Sequence, residues 1–161
     1  MKSSIKKGFG FGLTSGIITT LGMMIGLNQG THSQMVVLAG IGVISITDAL
    51  SDSVAIFMAD EAELQSNNSA WQESLSTFFS KFLIGASFAL PIIFLDLTLA
   101  IITSVVYGLV LITVLSFFIA KWEKRPIVKI VFGHLAVTVL VIAVSGLVGH
   151  FVEDIKKHQL L

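Results

Sequence analysis

The chain has 161 residues, 54% of them hydrophobic and only 12% charged, with ten acidic and ten basic side chains and a formal net charge of zero. A soluble domain carries about 25% charged residues, so this chain cannot cover a water-exposed globule, and the solvent it is built for is a lipid bilayer. Neutrality suggests no polyanionic partner such as nucleic acid, and the absence of cysteine excludes disulfides and thiolate metal sites.

A helix needs about 20 mostly apolar residues to span a bilayer. Five segments qualify, at about residues 8–27, 35–59, 77–95, 97–120 and 127–152. The expected fold is all-α: one transmembrane domain over residues 1–161, with no soluble domain and no internal repeat. The first apolar stretch is too long for the core of a cleavable signal peptide and lacks a small-x-small processing site.

The first span reads GFGFGLTSGIITTLGMMIG. Gly12 with Gly16, and Gly22 with Gly26, have the spacing that lets two helices approach closely in lipid, which suggests helix packing or a dimer contact. Thr14, Ser15, Thr19 and Thr20 add hydroxyls, and Met23 and Met24 add thioethers. Ser15, Thr19 and Met23 are the first-span candidates for lining an ion pathway.

The second span, MVVLAGIGVISITDALSDSVAIFMA, carries two carboxylates. Asp48 falls near its centre, and Asp52 follows one turn later on the same face. The stripe continues through Ala55 and Ala59 to Glu63, with Val43, Ile46, Leu50 and Val54 opposite. A carboxylate at the centre of a membrane helix costs at least about 3 kcal/mol, and two on one face repel unless protons or a cation intervene. The sequence offers no evident counter-ion at that depth: Lys81 reads as opening the third span, and His134 lies near one end of the fifth. Compensation is therefore expected from outside the chain, with hydrogen bonds to Ser45 or Thr47 of the same helix as the bland alternative.

The connection DEAELQSNNSAWQES reads as a mobile turn. Its acids, Asp60, Glu61, Glu63 and Glu73, suit either a solvated helix end or a cation funnel, with Glu61 and Glu63 as the candidate entrance. Asp96, in the tight turn after Pro91, is expected to cap the fourth span. Trp122 among Lys121, Lys124 and Arg125 has the character of an interfacial anchor, and Pro126 is placed to open the last helix. His32, His150 and His158 read as solvated or interfacial.

No enzyme is expected. An aspartyl intramembrane protease carries its acids on two helices, and Ala143-Val144-Ser145-Gly146 matches a serine type only in part. No resident cofactor is implied. Lys2, Lys6, Lys7, Lys81, Lys121, Lys124, Arg125 and Lys129 fall on one side if the N-terminus is cytoplasmic, against Lys156 and Lys157 on the other. The positive-inside rule then gives N-in and C-out.

The blocks GFGLTSGIITTLGMMIGL and THSQMVVLAGIGVISITDALSDSVAIFMADEAE resemble the first two spans of the vacuolar iron transporter family. WQESLSTFFSKFLIGASFALPII and HLAVTVLVIAVSGLVGHFV resemble its third and fifth. The resemblance covers nearly the whole chain and is most specific at TDALSDS. It implies a homodimer of five-helix protomers that exports Fe²⁺ or Mn²⁺ from the cytoplasm in exchange for protons, here expected in a prokaryotic plasma membrane. Carried over by position, Asp48 matches the aspartate of the family's second-span motif; the residues themselves make Asp48 the expected central metal and proton site and Asp52 the expected second ligand. Three departures stand out: Ser15 replaces a common first-span acid, Asp52 and Ile56 replace a usual methionine and glutamate, and the second-to-third connection is too short for the family's cytoplasmic metal-binding domain. A passive cation channel and a non-transporting membrane scaffold are the alternative functions.

Overall fold

A computed structural model of the chain describes residues 3–63 and 66–159, so the orientation argument that used Lys2 lies outside the described residues. Among the described residues six helices follow one another: α1 (Ser3–Thr31), α2 (Gln34–Ala62), α3 (Asn67–Ser87), α4 (Ala89–Phe94), α5 (Leu97–Trp122) and α6 (Ile127–Gln159). No strand occurs among the described residues. Counting α3 with α4 as one passage, five helical segments are long and apolar enough to cross a membrane.

The α3/α4 break has a local cause. Pro91 lacks the amide hydrogen that would bond the carbonyl of Ser87, and α3 ends at that residue. At the tip between α1 and α2 the chain turns through His32 and Ser33. His32 takes a positive φ of 49°, and the Ser33 side chain accepts from the Val36 amide to cap α2. Asp96 occupies the residue before α5, but its side chain makes no capping hydrogen bond. Only its carbonyl serves the helix, accepting from Ala100 at 2.8 Å. The expected Asp96 cap is corrected accordingly.

α1 is the centre of the bundle, packed against α2, α3, α5 and α6. Ile17, Leu21 and Met24 from α1 join Val37, Ile41, Phe88, Ile92 and Ile112 in the core. The glycines make this possible. A Cβ on Gly12 would stand 2.6 Å from the Thr77 carbonyl oxygen, and one on Gly16 would stand 2.7 Å from Ile84, so both glycines bring α1 onto α3. Gly22 and Gly26 serve α6 in the same way, facing Val141 and Ser145. Both small-residue pairs are therefore occupied by helices of their own chain.

The third passage starts earlier than its hydropathy suggests. Asn67 to Ser76, read from sequence as connection, is helical, and α2 runs on to Ala62. The polar side chains that misled the reading are satisfied inside the bundle. Ser74 donates to the Ser53 carbonyl at 2.7 Å, Ser76 to that of Ile5 at 2.9 Å, and Thr77 to that of Gly8 at 3.2 Å. Starting α3 at Asn67 sets Lys81 about 20 Å along its axis, well away from the helix end where the sequence reading had put it.

Candidate ionic site

Asp48 and Asp52 meet a base of their own chain. The Lys81 ammonium lies 2.7 Å from Asp48 Oδ2 and is also paired with Asp52 Oδ2. The expectation that no basic side chain reaches these acids is therefore overturned. Lys81 is 2% exposed, whereas the two aspartate side chains are about one-quarter exposed. The site is closed on the lysine side and open on the carboxylate side.

The remaining polar partners come from α1. Thr19 donates its hydroxyl to Asp48 Oδ2 at 2.8 Å, Ser15 donates to Asp52 Oδ2 at 3.1 Å, and Lys81 donates to the Ser15 hydroxyl at 3.0 Å. α1, α2 and α3 thus each contribute to one cluster, positioned by the close approach at Gly12 and Gly16. The same-helix partners considered for the acids do not serve them. Ser45 Oγ is buried without a hydrogen-bond partner, and Thr47 donates to the Val43 carbonyl.

The other candidates are placed elsewhere. Met23 presses its sulfur against Gly40, about two turns of α2 away from Asp48, and belongs to the packing around the core. Glu61 and Glu63 are exposed on the last turn of α2 and just beyond it, while their neighbour Asp60 is buried at 5% exposure. His134 bonds Ser116 through Nδ1 at 2.7 Å. It also lines a groove of about 260 Å³ with Phe11, Thr14, Ser15, Ile18 and Thr19. That groove shares Phe11, Thr14 and His134 with a larger cavity of about 600 Å³ that reaches Ser3, Lys6 and Arg125 at the N-terminal end of the bundle. The hydroxyls holding the aspartates therefore face a route to one end of the molecule.

No group of three or more acidic or imidazole side chains able to hold a metal occurs among the described residues. The chain supplies two carboxylates and two hydroxyls at this site, with the Lys81 ammonium between the carboxylates. What the arrangement can do follows from its charge. Two carboxylates and one ammonium leave one unit of negative charge, which still needs a proton or a further cation in a low-dielectric setting. Comparison with known proteins gives no relative: no family model, no curated protein and no solved structure matches the chain.

Proposed function

We propose that the chain is a membrane transporter that exchanges a divalent transition-metal ion for protons, with Lys81 as a tethered cation that holds the site between cargoes. The observation that carries this reading is the imbalance of the cluster: two acids share one base. Neutrality can be reached in two ways. In the proton-loaded state one carboxyl is protonated and Lys81 keeps its charge. In the metal-loaded state both carboxylates bind the ion and Lys81 has given up its proton. Passing from one to the other moves two protons against one divalent ion without net charge. Ser15 and Thr19 turn their oxygen lone pairs to the ion when the ammonium withdraws, and oxygen donors of this kind suit Fe²⁺ or Mn²⁺.

The resemblance of TDALSDS and its flanks to the vacuolar iron transporters supports the choice of cargo and, with it, a homodimer. In a dimer, the open carboxylate side of one protomer meets its partner. With Lys81 removed from the charge count, Lys6, Lys7, Lys121, Lys124, Arg125 and Lys129 still outweigh Lys156 and Lys157. This supports a cytoplasmic N-terminus, while export from the cytoplasm and residence in a prokaryotic plasma membrane are proposed through the resemblance and not through the charge count.

A second reading has a specific observation in its favour. Lys81 already bridges both aspartates, as a permanent structural cluster would with one carboxyl protonated, and the chain would then be a scaffold that transports nothing. Proteoliposomes separate the two. Under an imposed pH difference, Mn²⁺ or Fe²⁺ flux with two protons countermoved per ion is the transporter's outcome. Flux insensitive to the pH difference indicates a channel, and no flux of any divalent ion leaves the scaffold.

A further inference from the structure

We propose that Asp60 and Glu73 hold a hydrated divalent cation at the N-terminal end of the bundle, outside the Asp48–Asp52–Lys81 cluster. Asp60, on the last turn of α2, is 5% exposed, and Glu73, on the second turn of α3, is 7% exposed. Asp60 Oδ2 and Glu73 Oε2 are both buried with no hydrogen-bond partner. An unpaired buried carboxylate oxygen carries a large desolvation penalty, so an orphan on each of two acids that bear electrostatically on each other points to something that both of them bind.

The surroundings are built around this pair. Lys7 of α1 approaches the other Glu73 oxygen, Oε1, at 3.6 Å, which leaves Oε2 free to face inward. Thr77 bridges the carbonyls of Gly8 and Glu73 with its hydroxyl and fixes the backbone that carries Glu73. Asp60 and Glu63 both bear electrostatically on Glu73. Glu73, though not Asp60, also lines the cavity of about 600 Å³, which provides a way in from the Glu73 side.

The chemistry narrows the ligand. The described residues provide two carboxylates and no third acid or imidazole within metal-binding reach, so water must complete the coordination shell. Small, hard ions that keep several waters and take one or two carboxylates fit this description, with Mg²⁺ and Mn²⁺ as the type. The site stands on its own residues and not on the transport reading, because a chain that moves no ion would still bind here.

Mn²⁺ serves as the probe, on the purified full-length chain in detergent. Trp71 lies two residues before Glu73 and packs on Phe57 with ring centroids 4.7 Å apart. In a Trp122→Phe chain it is the sole tryptophan. Saturable quenching of its fluorescence is expected, with a midpoint raised about tenfold or more by Asp60→Asn and by Glu73→Gln. Both substitutions keep side-chain volume and remove only charge. Absence of saturable quenching in the otherwise unaltered Trp122→Phe chain overturns the proposal, whether or not the amide variants fold. A midpoint that neither amide shifts overturns it too, and would mean that protons alone neutralise the pair.

Discussion

Lys81 decides how the two central aspartates are understood. Its Cα is carried to mid-bundle by the ten mostly polar residues, Asn67–Ser76, that lengthen α3, and its ammonium then sits 2% exposed between two carboxylates. Removing one partner of a fully buried ion cluster costs about 3–5 kcal/mol, and the quarter exposure of the two aspartates makes that an upper bound here. Lys81→Met is therefore expected to lower the thermal midpoint markedly in metal-free detergent. Added Mn²⁺ should restore much of that loss, since the ion enters the place the ammonium vacated. Thermal unfolding with and without Mn²⁺ checks this, and a loss that Mn²⁺ does not restore favours the purely structural cluster. The pairing of Asp48 and Asp52 on one face was legible in the sequence from their four-residue spacing alone. Lys81 was not, because hydropathy assigns Asn67–Ser76 to water. Only the tertiary hydrogen bonds of Ser74, Ser76 and Thr77 show that the segment is a helix with one face packed into the bundle.

Among elements, the α1–α3 seam places the site. Gly16 stands against the Lys81 backbone as well as Ile84: a Cβ there would lie 3.2 Å from the Lys81 carbonyl oxygen. Gly16→Val would push α3 away and move Lys81 off the aspartates, a case of overpacking that typically costs about 1–3 kcal/mol. Gly42, on the outer face of α2, has nothing within 4 Å of its would-be Cβ. Gly42→Ala is therefore expected to be neutral, or stabilising by about 0.5–1 kcal/mol through helix propensity. Comparing the thermal midpoints of the two variants tests whether close approach, and not glycine as such, is what α1 requires. The spacing of the glycines announced close packing in the sequence. It could not name the partner, because small-xxx-small serves contacts within a chain and between chains alike, and here both pairs meet α3 and α6 of the same chain.

For the whole molecule, five membrane-length helical segments were readable from apolar length, whereas the ends of the second and third were not. The same extension that hid Lys81 also hid the burial of Asp60 and Glu73, which looked like loop acids beside the exposed Glu61 and Glu63. Orientation is a further claim at this scale. The chain has no cysteine, so single cysteines report cleanly in intact cells. A membrane-impermeant maleimide is expected to label Lys156→Cys and to leave Lys124→Cys unlabelled until the cells are opened; the opposite pattern would reverse the topology. The central claim is that a residual negative charge, left where two acids share one base, draws a cation through the membrane. Asp48→Asn removes that charge and leaves Asp52 and Lys81 as a neutral pair. Measured in proteoliposomes as Mn²⁺ flux driven by a pH difference, the native chain is expected to transport and Asp48→Asn to fall to the rate of empty vesicles. Equal rates for the two, or no flux from the native chain, would contradict the account.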